Sequence, residues 1–183
     1  MIRTFICCEL PDPIIEQISA LQQELGPFRW TRPQSIHITL SFLGEIEKTL
    51  LEPVEKCVKD AVINIAPFLL GVKGNGAFPN FRSPQVLWLG VEDATGNLAR
   101  MQEKVVQELQ TLGFQLEKRK FKPHLTMARL KSWQKDNPIC QAFENYKVDF
   151  GNFFVKDIVV MKSELRPQGA IYTPICRINL KQK

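Results

Sequence analysis

Residues 34–44 read QSIHITLSFLG, and apolar and polar side chains alternate along this stretch with a period of two. Such alternation is the pattern of a half-buried β-strand, because successive side chains of a strand point to opposite faces. The stretch therefore predicts a strand with one apolar face, formed by Ile36, Ile38 and Leu40. The opposite face carries four polar side chains: Ser35, His37, Thr39 and Ser41.

A second stretch, FKPHLTMARL at residues 121–130, repeats the centre of the first. The chain contains only two histidines in 183 residues, and an apolar residue, a threonine and another apolar residue follow each of them. On a strand, a histidine and the threonine two positions later project from the same face, roughly 7 Å apart. Each strand thus offers an imidazole beside a hydroxyl, His37 with Thr39 and His124 with Thr126. The two motifs lie nearly half the chain length apart, which suggests an internal duplication.

Two such strands facing one ligand have the groups needed for acid and base catalysis at a phosphate. The ordinary pKa of histidine, about 6.5, allows one imidazole to be neutral and another protonated near neutral pH. Threonine hydroxyls can donate hydrogen bonds to phosphate oxygens. A lone histidine in a strand is most often structural, but the repetition of the motif favours a functional pair. Zinc binding is a weaker alternative, because no Cys, Asp or Glu accompanies the histidines at ligand spacing.

The remaining sequence mixes strand and helix patterns without a strict parallel rhythm, which predicts the α+β class. Helical spacing of apolar residues predicts helices over 11–26, 48–65, 95–113 and near 137–146. Further strands are predicted over 2–10, 67–78, 85–92, 153–165 and 170–180. Three glycines within 71–76 indicate a turn or bulge in the strand predicted over 67–78.

Composition is that of a folded globular protein, with 44% apolar and 23% charged residues. No apolar run is long enough to span a membrane, and the N-terminal sequence lacks the apolar core of a secretion signal, so we expect a cytoplasmic protein. Its five scattered cysteines fit reduced thiols better than a disulfide framework. The net charge of +5 mildly favours anionic binding partners.

Four stretches that together span nearly the whole chain carry a family resemblance: 29–45 (RWTRPQSIHITLSFLGE), 74–91 (GNGAFPNFRSPQVLWLGV), 121–130 and 161–180 (MKSELRPQGAIYTPICRINL). They resemble the 2H phosphoesterase superfamily, and within it the RNA 2′,3′-cyclic phosphodiesterases, also known as 2′-5′ RNA ligases. The resemblance implies two pseudo-symmetric lobes, each an antiparallel sheet packed with helices, on either side of a central cleft. Residues 1–183 would then form one bilobal domain, with the H-x-T motifs at 37–39 and 124–126.

The resemblance also implies roles for individual residues. His37 and His124 would be catalytic, Thr39 and Thr126 would bind substrate, Arg129 would contact phosphate, and Phe42 would stack on a base. Simple alternation disagrees for the last two, because Phe42 and Arg129 count onto the core faces of their strands. Each therefore needs its strand to end or bulge first. Three further candidates for the cleft are Lys122, Arg166 and Tyr172.

The implied reaction opens a 2′,3′-cyclic phosphate to a 2′-phosphate without metal or cofactor. We assign His124 as base and His37 as acid, although the two motifs are symmetric on this point. The expected partner is RNA or an oligonucleotide with a 2′,3′-cyclic phosphate end, and we expect a monomer.

Several alternatives stay open. One is a phosphodiesterase for small nucleotides or 2′-5′ oligonucleotides, and another is an RNA-binding module without turnover. The same site could also join a 2′,3′-cyclic end to a 5′-hydroxyl, which would give 2′-5′ RNA ligation. An ATP-dependent ligase is disfavoured, because the glycines of 71–76 do not form a phosphate-binding loop with its terminal lysine and hydroxyl.

Overall fold

Eight antiparallel strands form a single sheet in the computed structural model, which describes residues 1–116, 119–131, 137–167 and 169–181. The strands are β1 (Ile2–Glu9), β2 (His37–Ile46), β3 (Phe68–Phe78), β4 (Val86–Glu92), β5 (His124–Arg129), β6 (Asp149–Val155), β7 (Asp157–Arg166) and β8 (Gly169–Asn179). The helices are α1 (Asp12–Leu25), α2 (Leu51–Val62), α3 (Asn97–Thr111) and α4 (Pro138–Asn145). The predicted α+β class is confirmed.

The order of the strands places the two histidine strands side by side. Across the sheet the order is β6-β3-β4-β5-β2-β1-β7-β8, so β5 and β2 are the central neighbours. Four strands lie on the β5 side of this junction and four on the β2 side. In each half, a helix connects two strands that pair with each other: α1 follows β1 and precedes β2 in the sequence, and α3 follows β4 and precedes β5. The arrangement agrees with the predicted pseudo-symmetry, while the single bilobal domain over residues 1–183 stays a prediction.

The single strand predicted over 153–165 is wrong, because the structure divides this run at Lys156. Before Lys156, β6 pairs with β3 at one edge of the sheet. After it, β7 pairs with β1 near the opposite edge. One residue cannot span a flat sheet of eight strands, so the sheet curls and brings these edges together. Apolar residues precede Lys156 and follow Asp157, and these two polar residues did not by themselves predict a change of partner.

The four helices cover one face of the sheet and bury its apolar side chains. In α3, four residues at helical spacing are fully buried: Leu98, Met101, Val105 and Leu109. They belong to the same core cluster as Ile38 of β2 and Leu125 of β5, which are both 0% exposed. Each large apolar side chain buried in this way stabilises the fold by about 1.5–3 kcal/mol. No helix in the described part of the chain is long and apolar enough to cross a membrane.

The opposite face of the sheet carries a smaller apolar cluster on β1 and β7. Its members are Phe5, Cys7, Val159 and Met161, and Tyr172 of β8 packs against them. All five cysteines are free thiols, and only Cys176 is not fully buried. The side chain of His37 packs against this apolar cluster through Phe5 and Tyr172.

Two glycines shape the strands next to His124. Gly74 has a φ of 73°, and the pairing of β3 with β4 shifts between Val72 and Asn75, which confirms the predicted bulge. Gly90 lies directly across from His124, and a Cβ atom there would stand 2.3 Å from the carbonyl oxygen of Lys73. Because that contact is with backbone, only glycine permits the close approach of β3 to β4 at this point.

Candidate active site

Both H-x-T motifs project from one face of the sheet, side by side. The registered pair between β2 and β5 is Ile38 with Leu125, and both side chains are buried against the helices. In an antiparallel pair the flanking residues face each other in reverse order, so His37 lies across from Thr126 and Thr39 across from His124. All four side chains point away from the helices. The two histidines are diagonal neighbours, a relation that separates residues by about 7–8 Å.

The two imidazoles are held by the same local contact. Nδ1 of His37 lies 2.9 Å from the carbonyl oxygen of Ser35, and Nδ1 of His124 lies 2.8 Å from that of Lys122. A carbonyl oxygen only accepts hydrogen bonds, so each ring donates from Nδ1. In the neutral ring Nε2 then carries no proton and is the basic atom. Each motif therefore presents one nitrogen, Nε2, for proton transfer.

Two aromatic rings pack directly on His37, and a third packs on one of them. The ring of Phe5 stacks on the imidazole with centroids 4.7 Å apart, and the ring of Tyr172 meets it edge-on at 5.2 Å. Phe42 lies against Phe5, with centroids 5.9 Å apart, and is 61% exposed. These contacts leave His37 half-buried. They place the exposed ring of Phe42 beside Phe5, on which His37 stacks, and its stacking on a base stays a prediction.

His124 has a corresponding aromatic neighbour on its own half of the sheet. The ring of Phe78 meets the imidazole edge-on, with centroids 5.1 Å apart, and also contacts Trp88 at 5.3 Å. Trp88 lies directly across from Thr126 in the pairing of β4 with β5. Each histidine is thus fixed by an aromatic ring from a different strand, Phe5 from β1 and Phe78 from β3.

Strand bulges explain how Phe42 and Arg129 reach this face. The register of β1 with β2 shifts between Ile6 and Cys7 and again between Thr4 and Phe5, and the side chain of Phe42 is exposed after the first shift. The register of β4 with β5 shifts between Leu87 and Trp88, and Arg129 is exposed beyond that point. Both residues therefore avoid the core faces onto which strict alternation counts them.

Charged groups near His37 act on its proton affinity. Burial lowers the pKa of His37 from the usual 6.5; the Ser35 carbonyl and the carboxylate of Glu9 raise it, and the guanidinium of Arg129 lowers it. Glu9 lies directly across from His37 on β1. The Arg177 side chain binds the Glu9 carboxylate and, at 2.7 Å, that of Asp157. The net effect favours the neutral imidazole in the free protein.

The other predicted candidates have different positions. Tyr172 lies in the site, against His37 and Phe5. Lys122 contributes its carbonyl oxygen to His124, while its side chain is exposed. Arg166 is exposed at the end of β7, and no contact with either histidine is recorded for it. Sequence reasoning missed Phe5, Phe78 and Glu9, because only strand pairing brings β1 and β3 to the histidines.

The two threonine hydroxyls are not used within the described part of the protein. No hydrogen bond from Thr39 or Thr126 to any residue that the structure describes is recorded, and both side chains are half-buried. Among the described residues, no group of three or more His, Cys, Asp or Glu side chains lies close enough together to hold a metal ion. The site thus combines two imidazoles, two available hydroxyls and an exposed guanidinium.

Comparison with known proteins places this geometry in a family. The sequence profile of the 2′-5′ RNA ligase superfamily matches residues 10–166. This chain belongs to the 2′-5′ RNA ligase superfamily. Among its relatives, the RNA 2′,3′-cyclic phosphodiesterase of Archaeoglobus fulgidus is 34% identical and covers 93% of this chain and 96% of its own. The protein of the same name from Methanocaldococcus jannaschii is 33% identical over 94% of this chain and 98% of its own.

Solved structures of the superfamily share the fold described above. A Thermus thermophilus protein superimposes with a TM-score of 0.76 at 28% identity, and the match covers 97% of each chain. E. coli LigT, crystallised with 3′-AMP, superimposes with a TM-score of 0.80 over 99% of each chain at 24% identity. The predicted family and fold are therefore confirmed, while the roles of individual site residues stay predictions.

The lowered pKa of His37 can be measured directly, because a His124→Asn variant retains only one histidine signal in the NMR spectrum. We expect His37 to titrate below 6.5 in the folded protein and near 6.5 in urea. At pH values between these two pKa values the unfolded chain binds more protons than the folded chain, so the free energy of unfolding rises with pH. The contribution of His37 is therefore complete above about pH 6.5 and is lost as the pH falls towards the folded-state pKa. A folded-state pKa at or above the value in urea would contradict the burial argument.

Proposed function

We propose that this chain is an RNA 2′,3′-cyclic phosphodiesterase that opens terminal 2′,3′-cyclic phosphates to 2′-phosphates by two-histidine acid and base catalysis, without a metal. The observation that carries the proposal is the matched pair of imidazoles, each anchored through Nδ1 and each presenting Nε2 on one face of the sheet. The two relatives described above are both named RNA 2′,3′-cyclic phosphodiesterase, and this chain matches them over nearly their whole length. Both facts support the substrate class. We also propose that the enzyme acts as a monomer in the cytoplasm.

The first step is proton removal from water. Nε2 of His124 takes a proton from a water molecule, and the water oxygen attacks phosphorus in line with the bond to the ribose 3′ oxygen. As that bond breaks, the 3′ oxygen takes a proton from Nε2 of His37. The product carries a 2′-phosphate and a 3′-hydroxyl, and one proton has passed from His37 to product while His124 has gained one from water.

Transition-state charge is stabilised by the neighbouring donors. The hydroxyls of Thr39 and Thr126 donate to the non-bridging oxygens, and the guanidinium of Arg129 lies within electrostatic reach of His37. A general acid must hold its proton when substrate is bound. In the free protein the neutral form of His37 is favoured, so the negative charge of the bound phosphate has to raise its pKa again. Glu9, across from His37, acts in the same direction.

Ligation is a second activity of the same site, favoured by the superfamily match. In this reaction a 5′-hydroxyl of RNA takes the place of water and loses its proton to Nε2 of His124. Its oxygen attacks phosphorus and forms the 2′-5′ phosphodiester, while the bond to the ribose 3′ oxygen breaks and that oxygen takes a proton from Nε2 of His37. The 5′-hydroxyl and water compete for the same cyclic phosphate, and the high concentration of bulk water favours hydrolysis.

Turnover of defined substrates tests the proposal. Purified protein is incubated with a nucleoside 2′,3′-cyclic phosphate and with RNA that ends in one, with and without excess chelator, and the product is identified by ³¹P NMR. We expect the 2′-phosphate at the same rate under both conditions. Binding without turnover would favour the RNA-binding module, whereas collapse of activity in chelator would favour the zinc alternative. Exclusive turnover of mononucleotides would identify a small-nucleotide phosphodiesterase.

A further inference from the structure

Positive charge is concentrated in three segments of the chain. Residues 27–37, 79–85 and 119–131 contain eight of the 24 lysines and arginines and none of the 19 aspartates and glutamates. The rest of the chain has 16 cations against 19 carboxylates and is therefore slightly acidic. The net charge of +5 hides this division. A basic surface on an otherwise acidic protein is the electrostatic pattern of nucleic-acid binding.

The fold brings these segments together at the end of β5. The backbone N–H of Thr31 donates to the carbonyl oxygen of Met127 at 2.7 Å, and that of Leu130 donates to the carbonyl oxygen of Gln85 at 2.8 Å. Each basic segment is thus joined to β5 or belongs to it. Five exposed arginines stand on these segments. Arg119 is one of them, and we call the other four the arginine rim: Arg29, Arg32, Arg82 and Arg129.

The rim arginines have no carboxylate partner among the residues that the structure describes. None of the four forms an ion pair with a residue in the described ranges, whereas Arg177 binds two carboxylates. Arg29 and Arg129 also lie on the same side of the bridge between Trp30 and Ala128. Like charges held near one another on paired strands cost free energy. A bound anion removes that cost, and arginine binds phosphate through two parallel hydrogen bonds.

The rim begins at the catalytic face. Arg129 follows the second motif on β5, and its charge acts on His37. Arg82 precedes β4, in which Val86 lies across from Arg129. An RNA strand whose terminal phosphate lies between the two histidines can therefore continue past Arg129 onto the other three arginines.

We propose that the arginine rim binds the sugar-phosphate backbone of single-stranded RNA on the 5′ side of the terminal cyclic phosphate. The inference rests on the proposed function, because it assumes that the cyclic end of an RNA occupies the histidine site. It makes the protein an enzyme that distinguishes RNA ends from free cyclic nucleotides. Recognition is by backbone charge, so it is independent of base sequence.

A second route for the RNA leads to the opposite half of the sheet and is less favourable. There a cavity of about 630 Å³ is lined by three cations, Arg3, Lys48 and Lys162. Carboxylates interrupt them, because Glu45 lies across from Arg3, and Glu164 binds Lys162 at 3.2 Å. Arg3 is exposed, as the rim arginines are, and therefore offers a matched control.

The test compares two substrates with the same reacting group, a nucleoside 2′,3′-cyclic phosphate and a single-stranded RNA ending in that nucleotide. For the triple variant Arg29→Glu, Arg32→Glu, Arg82→Glu we expect the KM of the RNA to rise at least about tenfold. Turnover of the mononucleotide, which does not reach these three arginines, changes less than about twofold. In the unaltered protein, kcat/KM for the RNA falls steeply with salt, and each arginine replaced by alanine lowers the log–log slope by about 0.7.

Arg3→Glu is the control with an equal change of charge, and we expect nearly unaltered kinetics on both substrates. The inference is overturned if the triple variant turns over RNA as the unaltered protein does, or if Arg3→Glu alone raises the KM. Either result leaves the proposed function standing, whereas failure of the unaltered protein on both substrates refutes the proposed function itself. Should the triple variant fold poorly by its thermal midpoint, the salt slopes of the single alanine variants decide.

Discussion

His124→Ala lowers kcat/KM for a nucleoside 2′,3′-cyclic phosphate by several orders of magnitude, and His37→Asn does the same. A positioned acid or base contributes about 10²–10⁴-fold, and each variant loses one of the two. Asparagine is chosen at position 37 because Phe5 and Tyr172 pack on the ring, and alanine there would leave a cavity. The measurement is steady-state kinetics beside the thermal midpoint, which should stay close to that of the unaltered protein.

Lys122→Ala is the matched control for this pair of variants. Its side chain is exposed beside His124, while the carbonyl oxygen that anchors the imidazole belongs to the backbone and is retained. We expect this variant to keep most of its activity. Near-normal turnover by a folded His124→Ala protein would contradict the mechanism, whatever the result at position 37.

The two histidine variants also separate acid from base. Loss of a general base is compensated in part by hydroxide, so the rate of His124→Ala should rise with pH if His124 is the base. Loss of a general acid matters less when the leaving group departs without a proton, so His37→Asn should lose least on a nitrophenyl phosphodiester. The opposite pattern would exchange the two roles and keep the pair.

Thr39→Val and Thr126→Val are expected to lower kcat by about 10²–10³-fold each, the typical loss of one donor to a developing oxyanion. Valine keeps the shape of threonine and removes only the hydroxyl. Because Thr39 lies across from His124 and Thr126 across from His37, each hydroxyl adjoins the imidazole of the other motif. We therefore expect KM to change much less than kcat.

Serine at the same positions is the control, because it restores the hydroxyl without the methyl group. Thr39→Ser and Thr126→Ser should keep turnover within about tenfold of the unaltered protein. If the valine variants were as active as the serine variants, the hydroxyls would have no role in the transition state. The thermal midpoints of all four proteins show whether any loss arises from unfolding.

Much of the fold was readable because local patterns and tertiary contacts agree. Alternation over 34–44 predicts that Ile38 is buried and that His37 is on the other face, and both hold in the structure. Periodicity failed at 153–165, where one apolar run contains two strands with different partners. It also counted Phe42 and Arg129 onto core faces, because a bulge is set by the pairing of two strands and leaves little trace in either one.

The sequence by itself determined the reactive groups, because side chains alternate along a strand and a histidine therefore shares a face with the threonine two residues later. It also determined the family, through motifs spread over most of the chain. Tertiary structure alone decided that β2 and β5 are neighbours, that Phe5 and Phe78 flank the two imidazoles, and that three basic segments are joined at the end of β5. Such relations depend on contacts between residues far apart in the chain, and no local pattern of side chains encodes them.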